Sequence, residues 1–456
     1  MADQCSLRLV RELAQFERSE QLGMRDTSVS TSGADITIAF TVAYDENNTR
    51  DIQALIIGPP GTPYELGFYE FAIRIPSGEK APISLTELDY PASPPTVRLK
   101  TTNQGRTRFG PNLYANGKVC LTWPGDRGEE WSPAQGLESV LLSIQSLLSS
   151  NPYILEPGFD SRGADTENIE AYKSKIRHEN LRLAVLDPLE KALQCPALAW
   201  QRRAQRTGDG QASDQSTLSA FGDFCKQRFL WYLDLYNNVI EKGIVDDARR
   251  HETPFIQMPF ESSSNGMHGT WDYTKLKTRL ESIQEQLMEE THKWPIEGLT
   301  LTKEDAGIAV KLLGQHEQIV AEMKSRTQVM DLSLVDGNPF VWRLTYAGRT
   351  ESRLEGGIIK IKIFISPRHP LEQPRVFVES PLYHIRVSKT GVMIYLPARA
   401  DEIRHHIDGI INALEEDSPP YNPLMTVNPE ASSQCWGTEV ERRLYRRKLR
   451  ASLEAS

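Results

Sequence analysis

Residues 108–121 read R-F-G-P-N-L-Y-A-N-G-K-V-C-L and contain a single thiol, that of Cys120. The pair Pro111-Asn112 precedes this cysteine, and Asn116-Gly117 between them is typical of a turn that folds the stretch back on itself. A cysteine thiolate can carry an acyl group as a thioester if a donor stabilises the tetrahedral oxyanion. The neutral amide of Asn112, brought back by the turn, is suited to that task. The stretch therefore predicts Cys120 as a nucleophile and Asn112 as an oxyanion donor.

The alternative interpretation of this stretch is structural. Free cysteine is among the most buried residue types, so Cys120 could equally be a core side chain. The local pattern alone favours neither interpretation, and the neighbouring motifs have to decide between them.

Motifs rich in proline, glycine and aromatic residues flank the stretch. They are Gly58-Pro59-Pro60-Gly61-Thr62-Pro63-Tyr64, Gly67-Phe68-Tyr69, Tyr90-Pro91, Pro94-Pro95, Trp131-Ser132-Pro133 and Asn151-Pro152. In order and spacing, these motifs together with the P-N and C-L elements resemble the ubiquitin-conjugating enzyme family, and the combination is highly specific. The resemblance extends over about residues 1–290, and it favours the catalytic interpretation of Cys120.

The resemblance implies an α+β fold, the ubiquitin-conjugating fold, with a four-stranded antiparallel meander and flanking helices. It implies that Cys120 accepts ubiquitin or a ubiquitin-like modifier from an activating enzyme and passes it to a substrate lysine, with a ubiquitin ligase and protein substrates as further partners. It also implies that Glu156, placed before Pro157 where family members carry an acid, orients the lysine; the alternative is a solvated loop carboxylate. No metal or small cofactor is implied, because the adenylating chemistry belongs to the activating enzyme.

One position departs from the family pattern. The family motif usually reads His-Pro-Asn, whereas this chain has Gly110-Pro111-Asn112. Glycine cannot brace the loop as a histidine side chain would. Asn112 is therefore expected to be held by turn hydrogen bonds, with help from Tyr114.

Apolar periodicity predicts the elements of this first domain. A helix is expected over residues 6–18 and strands over 36–44, 52–57, 68–75 and 97–99. Ser132-Pro133 is predicted to cap the next helix. The core-facing stripe of that helix is Leu137, Val140, Leu141, Ile144, Leu147 and Leu148.

Four parts are predicted along the chain. They are a catalytic domain at residues 1–162, a helical extension at 163–295, a helical connector at 296–330, and a degenerate second domain of the ubiquitin-conjugating or RWD-like type at 331–456. Within the extension, Pro188 is expected to end or kink a helix, an aromatic helix follows Phe224 and packs in the core, and Asp272 caps another helix.

The second domain is predicted from an internal repeat of strands over 340–346, 358–365 and 375–378, followed by a helix over 401–416. Met393 is placed closest to the thiol position. Since a thioether cannot carry an acyl group, we expect this domain to have no catalytic power.

Composition narrows the class of protein. The net charge of −9 over 456 residues argues against general nucleic-acid binding. The five cysteines include no CxxC pair, so neither a zinc site nor a disulfide framework is indicated, and their sparse number fits a reducing compartment. No signal segment or apolar run long enough to span a membrane is present in the sequence. We expect a soluble protein of the cytoplasm or nucleus that binds no membrane.

Two other functions remain as alternatives. A non-catalytic scaffold or binding protein of the ubiquitin pathway would fit the missing histidine and the degenerate second domain, but it would not need Cys120 and Asn112 together. A cysteine hydrolase needs a histidine partner for its thiol, and no histidine precedes His178.

Overall fold

The computed structural model describes residues 7–14, 40–45, 47–76, 90–121, 131–159, 166–194, 220–324, 329–417 and 419–455. The ends of the predicted first helix, the start of the predicted first strand, residues 77–89 and the polar segment 201–219 lie outside these ranges. None of the helices within them is long and apolar enough to cross a membrane.

The first unit is a four-stranded antiparallel sheet with the strand order β1-β2-β3-β4. After a helical segment, α1, at residues 7–14, the strands are β1 (Phe40–Asp45), β2 (Asn48–Ile57), β3 (Phe68–Arg74) and β4 (Thr96–Leu99). The following helix α2 (Leu137–Ser146) buries the predicted stripe, including Leu137, Val140 and Ile144. The expected meander is therefore present.

The N-terminus of α2 is capped differently from the prediction. Gly136 occupies the N-cap and makes no side-chain bond, so the assignment of Ser132-Pro133 as the cap is wrong. Instead, the carboxylate of Glu12 on α1 accepts a hydrogen bond from the Leu137 amide at 2.9 Å. The same carboxylate accepts from Arg8 Nε at 2.8 Å and from the Tyr90 hydroxyl at 2.7 Å. A negative charge at the N-terminus of α2 also interacts favourably with the dipole of that helix, so the contact between α1 and α2 is stabilising.

The helical extension packs against this unit and shares its hydrophobic core. It comprises α3 (Thr166–Glu179), a π-helical segment (Asn180–Leu186), α4 (Asp187–Gln194), α5 (Gly222–Asp246) and α6 (Tyr273–Leu301). The chain stays helical through Pro188. The π-helical turns immediately before it accommodate a residue that has no backbone N–H to donate. Asp272 caps α6 as predicted, accepting from Lys275 N at 2.9 Å. The helix α6 continues across the predicted boundary between residues 295 and 296.

The aromatic helix α5 is a core element, as the sequence indicates. Phe229, Trp231, Tyr232 and Tyr236 are all buried. The Tyr236 hydroxyl donates to the Leu66 carbonyl at 2.8 Å and so ties α5 to the loop before β3.

The second unit repeats the topology of the first. After α7 (Gly307–Met323), strands β5 (Val329–Leu334), β6 (Val341–Ala347), β7 (Ile358–Phe364) and β8 (Arg375–Val378) form a sheet in the order β5-β6-β7-β8. The helices α8 (Ile403–Glu415), α9 (Pro429–Cys435) and α10 (Glu439–Glu454) follow. The strand β5 had no counterpart among the predicted strands.

Hydrogen bonds define which residues of the two units correspond. Leu99 N donates to Gly117 O at 2.8 Å, and Val378 N donates to Gly391 O at 2.8 Å. Both glycines have positive φ. A Cβ at Gly117 would lie 2.6 Å from Leu99 O, and a Cβ at Gly391 would lie 2.6 Å from Val378 O. The two turns are therefore equivalent and both require glycine.

This correspondence moves the thiol position by one residue. Met393 forms a bridge with Val387 just as Val119 does with Leu113. Ile394 N donates to Arg386 O at 2.9 Å, as Cys120 N donates to Asn112 O at 2.9 Å. Ile394, and not Met393, therefore occupies the place of the thiol, and the assignment of Met393 is corrected. An alkyl side chain stands where the first unit has its nucleophile.

The second unit packs against α5 through this same region. Val392 and Ile394 join the hydrophobic core that contains α5. The Tyr232 hydroxyl donates to the Leu424 carbonyl at 3.0 Å, and Asp223 forms an ion pair with Arg375. The face of the second unit that corresponds to the catalytic face of the first is thus covered by the extension.

Three buried histidines should make the second unit sensitive to acid. Burial lowers the pKa of His369 to about 4, of His384 to about 3 and of His406 to about 4, all from 6.5. Because the folded pKa values lie below those of the unfolded chain, their contribution is fully present above pH 6.5 and is lost as the pH falls towards 4. Each should lower the free energy of unfolding by at most on the order of 1 kcal/mol per pH unit in that window.

The measurement is the free energy of unfolding of the second unit between pH 7 and pH 4, followed by amide exchange in β6 and β7. His406→Gln should reduce the slope, because His406 bonds the Tyr395 hydroxyl at 2.9 Å as a buried neutral ring. His405→Gln is the matched control, since this neighbour is partly exposed and lies beside Glu402. Equal slopes for the two variants would contradict the assignment.

Candidate active site

The candidate site is a backbone hairpin that brings Asn112 and Cys120 side by side. Leu113 bridges Val119 across the hairpin, and Gly117 N closes the turn on Tyr114 O at 3.0 Å. Cys120 N donates to Asn112 O at 2.9 Å. The Asn116-Gly117 turn therefore has the effect that the sequence predicted, and the turn bonds expected to hold Asn112 are present.

Cys120 is a free, exposed thiol. The core interpretation of this cysteine is therefore wrong. Cys225 shows the contrast, because it is buried in α5 and its pKa is raised by burial well above the ordinary thiol value. A thiol has to be accessible to exchange an acyl group with a partner protein, and of these two only Cys120 is.

Asn112 is half-buried beside this thiol. Within the described ranges its side-chain amide makes no hydrogen bond to another residue. Among the described residues, the side chain is therefore oriented only through its backbone.

Arg108 was not identified from the sequence, yet it lies at the centre of the site. It is 3% exposed. Its guanidinium donates from Nε to Gly110 O at 3.2 Å and from Nη2 to Pro111 O at 3.0 Å. It also contacts the ring of Tyr114, whose centroid lies 5.2 Å away. Tyr114 therefore contacts Arg108, and its expected help in holding Asn112 stays a prediction.

Glu156 lies on the other side of this arginine. Its Oε2 accepts from Arg108 Nη2 at 2.8 Å, and its side chain is 22% exposed. The solvated-loop alternative for Glu156 therefore does not describe it, since the carboxylate is paired with a buried guanidinium.

A hairpin of the extension, residues 252–271, completes the site. Its ends pair through Glu252 and Trp271, and Phe255 N donates to Gly269 O at 2.8 Å. Its tip reaches the catalytic loop, where Gly266 O accepts from Arg108 N at 2.8 Å and Asn265 Oδ1 accepts from Ala115 N at 3.1 Å. We name this element the extension hairpin.

The extension hairpin is itself fixed by a buried ion pair. Lys175 and Glu261 face each other with side chains 0% and 1% exposed. Glu261 also accepts from Met258 N at 2.8 Å and from Met267 N at 3.1 Å.

Within the described ranges, no group of three or more His, Cys, Asp or Glu side chains could hold a metal ion.

The fold and the exposed thiol define a class of protein, and comparison with known proteins shows which. A model of the family described as ubiquitin-conjugating enzyme matches residues 26–179. The chain belongs to the ubiquitin-conjugating enzyme family. Its α+β architecture, with a ubiquitin-conjugating fold and a second sheet of the same order, agrees with the prediction.

Individual relatives place the chain more closely. It is 35% identical over 291 residues to ubiquitin-conjugating enzyme E2 Z of Danio rerio, an alignment that covers 63% of this chain and 70% of that protein. It is 34% identical over 295 residues to E2 Z of Xenopus tropicalis, covering 64% and 75%. It is also 36% identical over 188 residues to the dual E2 ubiquitin-conjugating enzyme/E3 ubiquitin-protein ligase BIRC6 of Homo sapiens, covering 39% and 4%. The chain is thus similar to the Z-type conjugating enzymes.

Proposed function

We propose that Cys120 carries ubiquitin or a ubiquitin-like modifier as a thioester and transfers it to a substrate lysine. The observation that carries the proposal is the pairing of an exposed thiol with Asn112 across the hairpin, through the 2.9 Å bond from Cys120 N to Asn112 O. Membership of the family supports ubiquitin, activating enzymes and ligases as the classes of partner.

The chemistry consists of two acyl transfers. The Cys120 thiolate attacks the thioester carbonyl that joins the modifier to the activating enzyme, and the enzyme's thiolate leaves as the new thioester forms. A lysine amine then attacks the carbonyl on Cys120, loses a proton, and forms an isopeptide bond while the Cys120 thiolate leaves. Both steps pass through a tetrahedral oxyanion, which the Asn112 amide stabilises by donating to it.

Glu156 is proposed to orient the lysine. Its Oε2 accepts a hydrogen bond from Arg108. Its Oε1 makes no hydrogen bond within the described ranges, so we propose that this oxygen accepts from the lysine ammonium or amine. A carboxylate fixed in this way positions the nucleophile without a large entropic cost.

The second unit is proposed to be non-catalytic. Ile394 stands in the thiol position and is buried against the extension. This supports a single carrier site, which lies in the first unit. The chemistry at Cys120 also requires a compartment that keeps this thiol reduced.

The proposal is tested by measuring whether the protein forms a thioester with a modifier supplied by an activating enzyme. Purified full-length protein is mixed with ATP, a panel of activating enzymes and tagged ubiquitin or ubiquitin-like modifiers, and is separated on non-reducing gels. We expect one adduct that disappears with thiol reductant and is absent for Cys120→Ala. The matched control is Cys435→Ala, which removes another free thiol that the structure describes and should load as the wild type does.

Two outcomes would contradict the proposal. No adduct with any activating enzyme from folded protein would favour a non-catalytic scaffold. An adduct that persists in Cys120→Ala would place the carrier thiol elsewhere.

A further inference from the structure

Gly110, which precedes Pro111-Asn112, has no side chain that could brace this loop. A Cβ at Gly110 would lie 3.1 Å from the Tyr64 hydroxyl oxygen. That hydroxyl is engaged, since it donates to Phe109 O at 2.7 Å. The space beside the loop is therefore filled, and the loop has to be held through its backbone carbonyls.

Arg108 supplies the donors that hold these carbonyls. Its Nε and Nη2 bind the carbonyls of Gly110 and Pro111, the two residues immediately before Asn112. A planar fork with fixed N–H directions can hold two successive carbonyls in one orientation. The position of the Asn112 backbone, and with it that of its amide, follows from this orientation.

Arg108 is in turn fixed by groups distant in the sequence. Its Nη1 donates to Phe260 O of the extension hairpin at 3.0 Å, and its Nη2 also binds Glu156. The rings of Tyr114 and Phe260 lie 5.2 and 5.4 Å from the guanidinium carbon. Almost all donors of the side chain are used, so it has a single orientation.

We propose that Arg108 is a positioning residue that sets the Asn112 amide for transfer, and that the extension hairpin belongs to the active site by holding Arg108. This inference rests on the proposed function, because it assumes that Asn112 stabilises the oxyanion on Cys120. Arg108 acts through Asn112 and does not contact the reacting atoms.

Arg108→Lys is the substitution that tests this role. Lysine keeps the positive charge but concentrates its donors at one nitrogen, so it cannot hold both carbonyls. A displacement of about 1 Å in a positioned group can cost about a hundredfold in rate. We expect the maximal rate of transfer from charged Cys120 to free lysine to fall about tenfold or more, although the positive charge beside Glu156 is kept.

The experiment is a single-turnover chase of full-length protein charged with ubiquitin, at increasing concentrations of free lysine. The matched control is Arg106→Lys, an exposed arginine of the same stretch whose Nε bonds Asn103 O at 3.2 Å. It should transfer at the wild-type rate. Both substitutions are also made in an Asn112→Ala background.

The Asn112→Ala background distinguishes an effect of Arg108 on the position of Asn112 from a general destabilisation of the protein. If Arg108 acts mainly through Asn112, the loss of rate caused by Arg108→Lys should be much smaller once the amide is absent. An equal loss in both backgrounds, or a wild-type rate for Arg108→Lys, would overturn the proposal. Failure of the proposed function is seen separately, because the wild type would then not become charged.

A second variant keeps the test decisive if Arg108→Lys does not fold. Asn265→Ala removes the bond from Ala115 N that anchors the tip of the extension hairpin, next to the Gly266 carbonyl that binds Arg108 N, and does not alter the Arg108 side chain itself. It should lower the maximal rate a few-fold, again only when Asn112 is present. A wild-type rate for this variant would overturn the role of the hairpin.

Discussion

Asn112→Asp should slow transfer of the modifier from Cys120 to free lysine by about 100-fold or more. The substitution removes the N–H donors and places a negative charge beside the developing oxyanion. Loss of one neutral donor already costs on the order of 100- to 1000-fold. The measurement is the decay of the charged form in a single-turnover chase with free lysine.

The chain offers a matched control for this substitution. Asn116 is exposed in the same loop, and its Oδ1 accepts from Lys118 N at 2.9 Å. Asn116→Asp makes the same chemical change but keeps this acceptor, so it should transfer at nearly the wild-type rate. If Asn112→Asp transferred as fast as Asn116→Asp, the oxyanion donor would have to be another group.

Lys175→Met should loosen the extension hairpin strongly. It leaves the Glu261 carboxylate buried without its counter-charge, and breaking a buried pair in this way costs about 3–5 kcal/mol. Glu261 also accepts from the amides of Met258 and Met267. Hydrogen exchange at these two amides measures the free energy of local opening directly, without assuming that the whole chain unfolds in one step.

Two further variants test the cause of this effect. Lys173→Met removes a lysine from the same helix, but its partner Glu170 is 63% exposed, so the substitution should cost about 1 kcal/mol or less. Adding Glu261→Gln to Lys175→Met removes the uncompensated charge and should restore most of the protection. If the double variant exchanged as fast as Lys175→Met alone, packing and not charge would be the cause.

Much of the first unit could be predicted because its signals are local. Alternation in β2 and β3 and the spacing of the α2 stripe directly reflect which face is buried. The adjacency of Asn112 and Cys120 followed from one turn, Asn116-Gly117, since a hairpin fixes which residues lie opposite each other.

The remaining features depend on contacts between distant segments. Arg108 meets the Phe260 carbonyl across 152 residues, and Glu12 caps α2 across 125 residues. No local pattern indicates either contact. An arginine directly before the Phe109-Gly110-Pro111-Asn112 motif is the sequence signal that could have pointed to Arg108, and it does not indicate a partner.

The assignment of Met393 failed for a different reason. In an antiparallel hairpin a shift of one residue changes which side chain occupies a given place. Cys120 follows the turn glycine Gly117 by three residues, and the residue three positions after the equivalent Gly391 is Ile394; the bridge between Val387 and Met393 gives the same register.

The most direct test of the account is the chemical location of the carried modifier. The full-length protein is charged with ubiquitin, digested without reductant, and mapped by mass spectrometry. We predict that the modifier's C-terminal carbonyl is joined to the sulfur of Cys120 and that thiol treatment releases it. A modifier joined to Cys225, Cys435 or a lysine, with Cys120 left free, would contradict the assignment of the active site.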